Sequence, residues 1–153
     1  MRRAMIDTMI FDAVSDDGEA GNRAVQAAIR FGRLRLLTTH VQEGQLADIG
    51  DPVRRKRLQR LPREVVPSGA PVLGVARSGR ARLGPSAETD AVVRGPRHAR
   101  DEVIAIAALQ HADVLVTEDR RLARDARERG LPVWTAAELM SWAAQEIDLA
   151  PGN

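Results

Sequence analysis

Four carboxylates stand where an apolar stretch gives way to a turn or a helix: Asp7 after AMI, Glu43 soon after LRLLT, Asp101 at the head of DEVIAIAALQHA, and Asp119 just past DVLVT. Oxygen ligands of this kind suit a hard divalent cation such as Mg²⁺ or Mn²⁺. A converging set needs one, because two unit charges ~5 Å apart repel by about 3 kcal/mol at an effective dielectric near 20. Each acid also has a plainer role, since Asp is a favoured helix N-cap and carboxylates suit a first helical turn. Asp48 and Glu118 are alternatives to Glu43 as the fourth carboxylate. His40, His98 and His111 show no metal-ligand spacing with a second histidine. The chain has no cysteine, which excludes thiolate zinc sites, cysteine nucleophiles and a disulfide framework. No glycine-rich phosphate loop is present beyond the weak match GEAGNR.

The elements that must position these acids follow from periodicity and punctuation. AMI reads as a first strand, Asn22 to Phe31 as a helix and LRLLT (34–38) as a second strand. Thr39 with Gln42 caps a helix running to Ile49, and Asp51-Pro52 opens a basic helix to about Leu61. DEVIAIAALQHA carries apolar residues at helical spacing, DVLVT is a short buried strand, and DRRLARDARERG is a polar helix stopped by Gly130. LPVWT is a further strand, and the capping box of Thr135 and Glu138 opens the last helix. Trp134 and Trp142 fall at core positions. This βαβ rhythm predicts one domain over 1–150, an α/β fold with a central parallel sheet. In such a sheet Asp7, Glu43, Asp101 and Asp119 fall on the same edge, where open α/β sheets bind their ligands. Between 62 and 100 the helical period disappears, and APVLGVARSGRARLG predicts a β-hairpin insert around 70–84, followed by an exposed loop.

The stretches IDT (6–8), LLTTHVQE ending in Glu43, DEVIAIAA from Asp101 and VLVTED ending in Asp119 together resemble the PIN-domain nucleases. The resemblance spans most of the chain and implies a three-layer α/β/α sandwich. It further implies metal-dependent hydrolysis of RNA phosphodiester bonds, as in an endoribonuclease of the toxin type. On that reading Asp7, Glu43, Asp101 and Asp119 are the catalytic and metal-binding set for Mg²⁺ or Mn²⁺, with Thr117 and Thr8 in support. RNA is then the substrate, with an antitoxin protein or a second copy of the chain as partner. Where the family commonly has Asn, two residues after the first Asp, this chain has Met9. That departure leaves room for a catalytically inactive PIN-like domain that binds RNA or a protein partner.

The charge distribution gives RNA a place to lie. Residues 53–100 hold twelve of the 23 Lys and Arg but three of the 21 Asp and Glu, a segment of +9 on a remainder of −7. Arg54, Arg55, Arg57 and Arg60 on the basic helix are the expected phosphate contacts. Asp7 and Asp12 interrupt the apolar N-terminus, and no run of about 20 apolar residues is present, so a signal peptide, a membrane span and membrane partners are not expected. A cytoplasmic location is.

Overall fold

The computed structural model describes residues 1–15, 20–68 and 96–148, with backbone alone at 96–99. Among these are five strands and seven helices. In chain order they are β1 (Arg2–Ile6), α1 (Ile10–Ser15), α2 (Ala20–Arg30), β2 (Leu34–Thr39), α3 (His40–Ala47), α4 (Pro52–Gln59), β3 (Glu64–Val66), α5 (Pro96–His111), β4 (Val114–Val116), α6 (Arg120–Glu128), β5 (Val133–Trp134) and α7 (Ala136–Asp148).

The strands form a single sheet in the order β3-β2-β1-β4-β5. Every pairing is parallel: Ala4 lies opposite Leu36 and Val114, Leu37 opposite Glu64, and Leu115 opposite Val133. Because side chains alternate across a strand, each central strand feeds two cores. Ala4, Ile6, Leu34, Leu36, Val114 and Val116 pack on one face against apolar residues of α1, α2, α3, α4 and α7. Met5, Leu37, Leu115 and Val133 pack on the other against Ile104, Ala107 and Ala108 of α5 and Leu122 and Ala126 of α6. The result is the expected three-layer α/β/α sandwich with a central parallel sheet. At Gly21 an added Cβ would lie 2.9 Å from Met140 Sδ, so glycine allows α2 and α7 to approach.

Local chemistry sets the helix ends. Thr39 Oγ1 accepts from Gln42 N–H while Gln42 Oε1 accepts from Thr39 N–H, closing the capping box of α3. Asp51 accepts from Val53 and Arg54 N–H at the start of α4, which carries Pro at its first position. Gly130, at φ 84°, follows α6 in the left-handed conformation that costs glycine least.

Three features depart from the sequence reading. The strand β3 was not legible, because two of its three residues, Glu64 and Val65, are exposed on a sheet edge. The short helix α1 follows Asp7 after a two-residue turn, Thr8 and Met9. The helix expected from Asp101 begins at Pro96, so residues 96–100 belong to α5 and Asp101 lies in its second turn. The predicted hairpin at 70–84 falls outside the described residues. Among the described residues no helix is long and apolar enough to cross a membrane. The apolar faces of α5 and α7 both supply core residues.

Candidate active site at the carboxyl edge of the sheet

The chain leaves β1 towards β2 on one side and returns to β4 on the other, so the sheet order reverses between β1 and β4. The carboxyl ends of those two strands are where such sheets open a crevice. Asp7 follows β1 and Thr117 follows β4, and the Asp7 N–H donates to Val116 O at 3.0 Å.

Asp7 is 9% exposed. Its Oδ2 accepts from Thr117 Oγ1 at 2.9 Å and its Oδ1 from the Thr8 N–H at 2.6 Å. Thr117 Oγ1 in turn accepts from the Asp119 N–H at 3.0 Å. One hydroxyl therefore orients the first acid and anchors the backbone of the second. Asp119 caps α6, its Oδ1 accepting from Arg121 and Leu122 N–H at 2.8 and 3.1 Å. The capping reading of Asp119 is thus correct, and it engages a single oxygen. Thr8 Oγ1 donates to Gln45 Oε1, and Gln42 Nε2 donates to Ile6 O, so α3 holds the end of β1 from the side.

The acids act on one another. Burial pushes the Asp7 carboxyl above its usual range; hydrogen bonds from Thr117 and Thr8 oppose this, and the charge of Asp119 adds to it. Asp101 is pushed up to about 6, first by burial and then by the charges of Asp119 and Asp7; Arg121 opposes and Asp125 adds. Asp125 was missed in the sequence. Its signal was its spacing: Arg121 and Asp125 stand four apart on the helix that Asp119 caps, and so on one face.

A raised carboxyl binds more protons folded than unfolded, so its contribution to stability is present below the unfolded pKa and is lost as pH rises through the folded one. For Asp101 the window runs from the ordinary 3.8 of a free aspartate to about 6. Asp101→Asn removes this pH-dependent contribution. With divalent ions chelated, the variant's stability relative to the parent is expected to rise across that window, by on the order of 1 kcal/mol after solvent screening of a half-exposed group. Thermal scans at several pH values check this; a constant difference would mean that Asp101 does not feel the other acids.

The remaining expected residues have partners of their own. Glu43 sits on α3 in a two-pronged pair with Arg63, Nε to Oε1 at 2.6 Å and Nη2 to Oε2 at 2.8 Å. Asp48 is the C-cap of α3, and Glu118 accepts from the Ala136 N–H at 2.8 Å, at the start of α7. Arg54 forks onto Asp12 of α1, and Arg57 Nη2 reaches the same carboxylate at 3.2 Å. Arg55 donates to Ile49 O at 3.0 Å. Three of the four arginines expected to hold RNA thus have partners within the chain. Trp134 and Trp142 pack at the first core with ring centroids 5.8 Å apart, and the Arg2 guanidinium lies 5.0 Å from the Trp134 ring.

No family model and no curated protein matches the chain. A solved structure that it does match is a domain of a functionally unknown protein from Methanocaldococcus jannaschii DSM 2661, with a TM-score of 0.48 and 14% identity over 88% of this chain and 91% of that one.

Asp7, Asp101 and Asp119 supply only oxygen donors, which suits Mg²⁺ or Mn²⁺ in type. Among the described residues, no group of three or more His, Cys, Asp or Glu is placed to hold a metal ion. Mg²⁺ does not require one: it is commonly held by one or two carboxylates, with water and substrate phosphate completing its shell.

Proposed function

We propose that this chain is a metal-dependent endoribonuclease whose site is Asp7, Asp101 and Asp119, supported by Thr117 and Thr8. The observation that carries the reading is the mutual electrostatic effect of the three acids at the sheet's switch point, with Asp101 raised to about 6. Acids so placed destabilise one another unless positive charge joins them. A divalent ion held there would supply the charge that activates water and steadies the departing 3′ oxygen. The protein's own share is orientation and exclusion of water. Thr117 fixes Oδ2 of Asp7, the Thr8 N–H fixes its Oδ1, and burial of the residue limits the access of water to it.

Mixed cellular RNA incubated with Mg²⁺ or Mn²⁺ is expected to be cleaved, and EDTA is expected to stop it. Absence of cleavage with both ions, or an identical product pattern in EDTA, would overturn the assignment. A toxin-type role with an antitoxin partner belongs to the same proposal.

The second reading is an inactive PIN-like domain that binds RNA or a protein. It is favoured by the commitment of Glu43 to Arg63 and by Met9, 64% exposed beside the site. RNA binding that is indifferent to EDTA, without cleavage, selects it.

A further inference from the structure

A concavity lies on the other helical layer from Asp101, among α1, α2 and α4. It has a volume of about 380 Å³ and is lined by Ser15, Gln26, Ile29, Arg30, Arg57, Arg60, Leu61 and Pro62. That volume is of the order of a small-ligand site, which is typically about 300–1,000 Å³. Its chemistry is divided. Arg30, Arg57 and Arg60 supply guanidinium groups, while Ile29, Leu61 and Pro62 form an apolar wall.

The arginines differ in commitment. Arg57 is shared with Asp12, whereas among the described residues no ion pair or side-chain hydrogen bond engages Arg30 or Arg60. Arg57 lies in the last turn of α4 and Arg60 caps its end, where the helix carbonyls favour cations. That terminus carries only about half a negative charge, so the cleft stays positive. Planar guanidinium forks match phosphate oxygens in pairs. The adjoining apolar wall offers a surface to a base or a sugar.

We propose that this cleft binds a nucleoside monophosphate unit, free or as the 5′-phosphorylated end of a strand, with Arg30 and Arg60 on the phosphate and Ile29, Leu61 and Pro62 against the nucleoside. The site does not depend on Asp7, Asp101 or Asp119.

The test is calorimetric titration in EDTA with AMP, adenosine, and a short oligoribonucleotide with and without a 5′-phosphate. AMP is expected to bind saturably and adenosine at least about tenfold more weakly, as loss of charge-assisted hydrogen bonds implies. Arg30→Ala and Arg60→Ala should each weaken AMP about tenfold on the same grounds, and Arg30→Glu with Arg60→Glu should remove binding. Both side chains are exposed, so these variants are expected to fold, which a thermal scan verifies. Asp7→Asn should bind AMP like the parent, so a failure of the nuclease assignment leaves this result untouched. Binding of AMP with no preference for the 5′-phosphorylated strand identifies free nucleotide as the source; a preference identifies the strand end. Adenosine binding as tightly as AMP, unchanged AMP affinity in the double variant, or loss of AMP binding in Asp7→Asn would each overturn the proposal.

Discussion

Asp7→Asn, Asp101→Asn and Asp119→Asn are each expected to lower RNA turnover by on the order of 10³-fold or more, equivalent to about 4 kcal/mol of lost transition-state stabilisation. The three differ in what else they disturb. Asp119→Asn preserves the cap of α6, because Asn caps a helix about as well as Asp, so lost activity there cannot come from a melted helix. Asp7→Asn places an amide NH₂ against either the Thr117 hydroxyl or the Thr8 N–H, a mismatch worth about 1–3 kcal/mol unless the hydroxyl turns to accept. Asp101→Asn is the least intrusive, since Asp101 is already pushed towards its neutral form. Steady-state cleavage with Mg²⁺, with circular dichroism to verify folding, makes the measurement. Full turnover in any two of the variants would show that these acids cap and pack without touching the reaction.

The largest expected loss of stability follows from Arg63→Ala. The Arg63 side chain is 9% exposed and its partner Glu43 27% exposed. The guanidinium also donates from Nη1 to Leu58 O and Leu61 O at 3.0 and 2.9 Å, and its carbon lies 5.3 Å from the Phe11 ring centroid. One side chain therefore joins α3, the carbonyl end of α4 and α1. Truncating it leaves a half-buried carboxylate unpaired and removes the guanidinium donor from Leu61 O, while Leu58 O keeps the Leu61 N–H, a loss of about 3 kcal/mol. That corresponds to a fall in melting temperature on the order of 10 °C for a domain of this size. Arg63→Lys should recover only a minor part, since a single ammonium cannot serve both carboxylate oxygens and the carbonyls together. Arg54→Ala provides the contrast: its pair with Asp12 is about half exposed, and pairs of that kind are worth roughly 1 kcal/mol or less. Thermal unfolding that places Arg63→Ala beside Arg54→Ala would refute the clip.

What the sequence determined by itself was the local grammar and the layer order. The capping boxes of Thr39 with Gln42 and Thr135 with Glu138, the caps at Asp51 and Asp119, and the stop at Gly130 are all present, because each joins residues no more than four positions apart. The strands β1, β2, β4 and β5 were legible from short, largely apolar runs, and with the helices between them they required a parallel sheet. Glu64–Val66 was illegible because an edge strand pairs on one side and need not be apolar. Tertiary structure alone decided the commitments of the charged groups. Asp7 meets Thr117 across 110 positions, Glu43 is taken by Arg63 across 20, and Arg54 is taken by Asp12 across 42. Asp101 rises to about 6 only because the fold buries it near Asp7, Asp119 and Asp125. Hydrogen bonds, Coulomb interactions and desolvation depend on distance through space and on access to water, and the spacing of residues along a chain carries neither.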